Sequence, residues 1–155
     1  MSRHVRTVRR VVRGLVAVGM VGIGILHFVD PEPFVRIVPP FLPAPLALVY
    51  VSGVAEILLG LAILPRKTRR WAALGLVALY VAVFPANVYM AVAGIQLDPS
   101  SPMPGWIAWA RLPFQLLFIA AALFVRHADP PPSSAARSAR GSGDHEVGRD
   151  DSRAA

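Results

Sequence analysis

Four stretches of mostly apolar residues constrain this chain more than any other feature: Val11 to Val29, Leu46 to Leu64, Trp71 to Val92 and Trp106 to Val125. A helix of about 20 residues, rising 1.5 Å per residue, matches a bilayer hydrocarbon core of about 30 Å. In lipid, every backbone donor and acceptor must be satisfied within the protein, and a helix does this within one segment. The expected fold is therefore all-α, an integral membrane four-helix bundle over residues 1–127. The 55% share of hydrophobic residues lies above the roughly 45–50% usual for soluble domains, in keeping with that reading.

Charge sets the expected topology. Arg3, Arg6, Arg9, Arg10 and Arg13 precede the first span, Arg66, Lys67, Arg69 and Arg70 separate the second from the third, and Arg126 follows the fourth. Loops rich in arginine and lysine stay on the cytoplasmic side. The other two connections hold only Arg36 against Asp30, Glu32 and Asp98, so both termini are expected in the cytoplasm. The net charge of +7 flanks the spans without forming an interleaved basic and aromatic surface, which points to a lipid bilayer and away from nucleic acid. With no cysteine, the chain has no disulfide, thiolate metal site or thiol redox pair of its own.

The first span is read as a retained helix. It is longer than a signal-peptide apolar core and runs into Asp30 without a small-residue cleavage pattern. Between Asp30 and Pro45, apolar residues alternate with prolines, and Pro33 to Val38 is expected to form one or two helical turns before Pro39 and Pro40 stop them. From residue 128 to 155 the composition turns to proline, serine, arginine and acids. Such a segment buries too little apolar surface to offset chain entropy and is expected to be a disordered cytoplasmic tail.

Within the spans, Glu56 is the anomaly. A carboxyl group inside a bilayer costs about 2.5–3.5 kcal/mol on insertion scales, so it marks a candidate functional site. Ser52, Glu56 and Gly60 share a helix face, and Gly19, Gly22, Gly24 and Gly53 allow close helix approach. Counting along the helices places His27 about 6 Å below the outer boundary, Asn87 at its level, Arg111 about 7–8 Å in, and Glu56 and Gln115 about 15 Å in. His27, Asn87 and Arg111 thus form an upper layer over Glu56 and Gln115. The cytoplasmic half of each span is apolar. Arg111, whose planar guanidinium suits a carboxylate, is the expected partner of Glu56. The alternative has Arg111 snorkelling to the interface while Glu56 bonds Gln115 or a serine. A purely structural ion pair is a further reading.

No phosphate-binding glycine loop, HExxH, GxSxG or second carboxylate accompanies Glu56. His27 is the one histidine well inside a span, which gives no basis for a metal site or bis-histidine haem. The stretches Gly24-Ile25-Leu26-His27-Phe28, Pro39 to Pro43, Val51 to Glu56 with Gly60 and Leu61, and Val83 to Asn87 resemble the DoxX family of small four-helix bacterial membrane proteins. The resemblance covers about Val11 to Val125. It implies a place in the bacterial inner membrane beside DoxX- and MauE-like proteins of redox systems. It also implies His27, Glu56 and Asn87 as the family-like polar positions.

The expected role is an accessory or quinone-interacting subunit of a membrane redox complex, with redox-complex subunits as partners, quinone as the possible cofactor and no catalysis by the chain alone. A small-solute or proton transport component and a non-catalytic scaffold are the alternatives. The ligand-binding or proton-relay candidates are His27, Glu56, Asn87, Arg111 and Gln115.

Overall fold

The computed structural model describes residues 3–127. The expected tail over 128–155 lies outside the described residues. Five helices follow one another: α1 (Arg3–Val29), α2 (Glu32–Arg36), α3 (Pro45–Ala62), α4 (Arg69–Ala93) and α5 (Gly105–Val125). There is no strand among the described residues. The four long helices coincide with the four apolar runs, and α2 falls where one or two turns were expected before Pro39, starting one residue earlier, at Glu32.

The ends differ from expectation for local reasons. Helix α1 begins eight residues before the apolar run, because arginine is a good helix former and nothing upstream of Val11 breaks the helix. Helix α3 stops at Ala62, short of Leu64, since the residue before Pro65 is pushed out of the helical region. Its last carbonyls are closed by the next segment: Thr68 Oγ1 donates to Ala62 O, Arg69 Nε to Ile63 O at 3.3 Å and Arg69 Nη2 to Leu64 O at 2.9 Å. Helix α4 ends at Gly94, whose φ of 64° is left-handed, and Ile95 N–H reaches back to Met90 O at 3.0 Å. Pro85 and Pro113 lie inside α4 and α5, which continue through them.

Helix α1 packs along α3, α4 along α5, α3 against α4, and α5 against α1, so the long helices close a ring of contacts. The core toward the arginine-bearing end contains Ala17, Met20, Ile63, Leu76, Ala122 and Val125. A smaller one, of Ile37, Met90, Ala91 and Ala108, lies toward the end where α2 sits. Alanine recurs in both, as expected where close backbone approach supplies the packing. Large apolar side chains such as Leu15, Val18, Val51, Val81, Val92 and Leu116 face outward and stay exposed. An apolar belt this extensive is foreign to a water-facing monomer. All four long helices have the length and hydropathy to cross a membrane.

Candidate functional site

The close approach of α1 and α3 creates the first part of the site. A Cβ at Gly24 would lie 2.8 Å from Gly53 O and 3.1 Å from Glu56 Cβ, and one at Gly53 would lie 2.7 Å from His27 Cβ and 2.9 Å from Gly24 O. Further along, a Cβ at Gly60 would meet Met20 Cβ at 3.0 Å. The helices run antiparallel with backbones nearly touching, and this brings His27 to Glu56. Gly19 and Gly22, expected to serve the same contact, have nothing within 4 Å of a Cβ position and are exposed. They fall on the opposite side of α1 from Met20, Gly24 and His27.

His27 and Glu56 are both buried, at 5% and 8% exposure. His27 Nδ1 lies 2.8 Å from Ile23 O and 3.4 Å from Glu56 Oε2. A carbonyl only accepts, so Nδ1 carries the proton and donates it to Ile23 O. Glu56 Oε2 therefore receives attraction from the imidazole edge but no hydrogen bond, and it is a sealed, unsatisfied acceptor. In the neutral ring, Nε2 is left as an acceptor. Phe34, from α2, covers the imidazole, with ring centroids 3.8 Å apart and planes 23° from parallel.

The second part lies between α4 and α5. Asn87 Nδ2 donates to Gln115 Oε1 at 2.9 Å, and Gln115 Nε2 donates to Tyr80 O. Gln115 is buried and Asn87 half-buried. The Tyr80 hydroxyl reaches across to α1, donating to Met20 Sδ at 3.1 Å. Tyr80 thus ties the second part to α1.

The sequence-based partner assignment is corrected here. Glu56 faces His27, and no ion pair or hydrogen bond joins it to Arg111. The reason is azimuth: Glu56 lies with Val49, Gly53 and Gly60 on the α3 face turned to α1, whereas Arg111 lies on α5, between Ala108 and Gln115 on that helix's inward face. Arg111 is half-buried and makes no hydrogen bond or ion pair with a described residue. Gln115 bonds Asn87 and Tyr80 and makes no hydrogen bond to Glu56. Ser52 is likewise spent, donating to Val49 O at 2.9 Å. The five candidates therefore divide into a His27–Glu56 pair, an Asn87–Gln115 pair and a separate Arg111.

Sequence reasoning missed Tyr80, Phe34 and Arg69. Tyr80 precedes Asn87 by seven residues and shares its helix face, a signal that was available. The stacking of Phe34 depends on how α2 folds back, which no periodicity encodes. Arg69, one of the loop cations by sequence, is buried and caps α3.

Two cavities open at the α2 end. One, about 300 Å³, is lined by Asp30, Glu32, Arg36, Leu97 and Asp98 among others, and the second, about 220 Å³, lies between α4 and α5 beside Met90, Gly94, Met103, Ala108 and Trp109. Asp98 is held below the usual carboxylate range by hydrogen bonds from the Ser100 hydroxyl at 2.6 Å and the Ser100 N–H at 2.9 Å. Neither cavity is lined by His27 or Glu56. Among the described residues, no group of three histidine or acidic side chains is placed to hold a metal ion.

No curated protein and no solved structure matches the chain. A family model described as a domain of unknown function, DUF8561, matches residues 16–126, a range that contains both polar pairs, Arg111 and α2. The chain belongs to the DUF8561 family.

Proposed function

We propose that this is a DoxX-like protein of the bacterial inner membrane, a four-helix transmembrane bundle with both termini in the cytoplasm, acting as a quinone-interacting accessory subunit of a membrane redox complex. The observation that carries the reading is the His27–Glu56 pair, with Oε2 buried, unbonded and 3.4 Å from the imidazole, under a stacked aromatic ring. A buried acceptor without a donor costs about 1–3 kcal/mol. A quinol hydroxyl supplies that donor. A quinone ring in place of Phe34 would stack on the imidazole, while His27 and Glu56 exchange protons with the headgroup as it changes oxidation state. The chain contributes binding and proton exchange, and the electrons pass between quinone and a partner subunit.

Transport receives less support. The apolar core of Met20, Ile63, Leu76, Ala122 and Val125 closes the end away from α2. A binding site entered from one side fits this arrangement better than a path across.

The test is decylubiquinone titration of the protein in nanodiscs, followed by quenching of Trp106 and Trp109, which lie at the α2 end of α5. Saturable quenching is expected for the wild type, with about tenfold weaker binding for Glu56→Gln and His27→Gln, a loss on the scale of one charge-assisted hydrogen bond. Absence of saturable binding by the wild type, or equal binding by both folded variants, overturns the proposal.

A further inference from the structure

The end of the molecule away from α2 has a charge arrangement that the site above does not use. Among the described residues it carries Arg3, Arg6, Arg9, Arg10, Arg13, Arg66, Lys67, Arg69, Arg70 and Arg126, while all four described acids, Asp30, Glu32, Glu56 and Asp98, lie in or toward the α2 half. Arg10, Arg66, Lys67, Arg70 and Arg126 are exposed, as expected of groups at a membrane surface, and Arg69 is spent on the end of α3. Arg6, Arg9 and Arg13 differ. Their spacing puts them on one face of α1, continuous with Ala17 and Met20, and so turned into the seam between helices. Arg6 and Arg13 are half-buried and Arg9 is buried. The Arg9 guanidinium lies over the Phe124 ring of α5, 5.3 Å from its centroid, which brings this face beside α5 at the level of Arg9.

Arg13 gives the decisive detail. Its Nη1 is sealed from the surroundings and has no hydrogen-bond partner. A guanidinium keeps its charge at any physiological pH and presents a rigid fork of donors, so a sealed, unbonded nitrogen calls for an oxyanion. Counting back from Val29, about 20 residues bring the hydrocarbon boundary near Arg9 or Arg10, which puts Arg13 roughly one turn inside it. From that depth its side chain would reach the level of lipid phosphates by swinging out of its sealed position and snorkelling along α1. Basic pockets between helices at the cytoplasmic surface suit anionic headgroups for this reason.

We infer that the α1/α5 seam at the arginine-bearing end binds the phosphodiester of an anionic phospholipid, with Arg13 as the principal donor and Arg9 and Arg6 around the headgroup. The inference rests on the four helices spanning a membrane and not on the quinone reading, so either can fail without the other. An anionic lipid held here would clamp α1 to α5 at the end where no described acidic residue is available to do so.

The full chain, purified in neutral detergent and mixed with equimolar phosphatidylglycerol and phosphatidylcholine, is to be read by native mass spectrometry for lipid retained per protein. The wild type is expected to favour phosphatidylglycerol, and Arg13→Gln to reduce that preference about fivefold, the scale of one arginine near an anionic headgroup. Arg13→Lys keeps the charge and should restore most of the preference. Arg66→Gln removes an exposed cation from the same end and should leave it unchanged. Neutralising the tail acids as Asp144→Asn, Glu146→Gln, Asp150→Asn and Asp151→Asn in the full chain should also leave it unchanged.

Equal retention of the two lipids by the wild type overturns the inference, as does a preference that survives Arg13→Gln. An equal loss with Arg66→Gln would mark a diffuse surface charge and overturn it as well. Displacement by millimolar inorganic phosphate would show a free-anion site, and a several-fold gain on neutralising the tail would show that the tail occupies the seam. Either of those results also sinks it.

Discussion

Replacing Gly53 with alanine tests the claim that backbone contact between α1 and α3 sets the site. The new methyl would lie 2.7 Å from His27 Cβ, 2.9 Å from Gly24 O and 3.0 Å from Phe28 Cε2, whereas ordinary contact begins near 3.4 Å. Two of these three neighbours are a backbone carbonyl and a Cβ, which move only with their helix. The helices must separate by about 0.7 Å at this level, taking the 3.4 Å approach of His27 to Glu56 beyond 4 Å. Overpacking costs about 1–3 kcal/mol, and a clash against backbone belongs at the upper end, while alanine regains about 1 kcal/mol of helix propensity. The net expectation is a loss of about 2 kcal/mol for Gly53→Ala, and a similar one for Gly24→Ala. At Gly19 and Gly22 nothing meets the added carbon, so alanine there should stabilise by up to about 1 kcal/mol. Denaturation with sodium dodecyl sulfate, followed by far-ultraviolet circular dichroism, measures all four. Equal stability of Gly53→Ala and Gly19→Ala would refute this, since α1 cannot then be pressed against α3 along the Gly24 face alone.

Three further outcomes follow from the same geometry. Gln115→Leu removes the bonds to Asn87 and to Tyr80 O and should cost about 1–3 kcal/mol, whereas Asn87→Ala, which spares the Tyr80 contact, should cost less in the same denaturation assay. Arg69→Ala exposes the Ile63 and Leu64 carbonyls at the end of α3 and is expected to lose about 2–3 kcal/mol, with faster amide exchange confined at first to Ile63–Arg69. Ser100→Ala should let the Asp98 titration, followed by carboxyl-carbon NMR, rise toward the ordinary carboxylate range. Because the Ser100 bonds depress the folded-state value, whatever order they give the α4–α5 connection is present at neutral pH and lost as pH falls through the Asp98 titration.

The helices were legible because period and length are properties of the sequence itself. Each apolar run needed only a count of residues against a bilayer, and the four long helices were found within a few residues except at the start of α1, where arginines extend the helix before the apolar run. The site was legible in the order of heights and illegible in direction. Depth counting put His27 about 9 Å above Glu56, whereas the contact of Glu56 Cβ with the Gly24 level leaves roughly 4.5 Å between them. What counting does not supply is the rotation of each helix about its axis. That rotation is fixed by packing, and in α1 it is fixed by Gly24 and not by the equally small Gly19 and Gly22.

The same distinction explains why Arg111 attracted Glu56 on paper and not in the folded chain. Opposite charges at compatible depths look like a pair when the helices are drawn as rods of known height. In the ring of helices, Glu56 is consumed by the α1 contact, where close backbones leave room for an imidazole edge and not for a guanidinium. Were Arg111 to pair with Glu56, α3 would have to turn its Gly53–Gly60 face away from α1 and lose the contacts that bring both helices together. A buried ion pair at best roughly balances its own desolvation, so it cannot repay that loss. Packing therefore chooses the partner and electrostatics adapts to the choice.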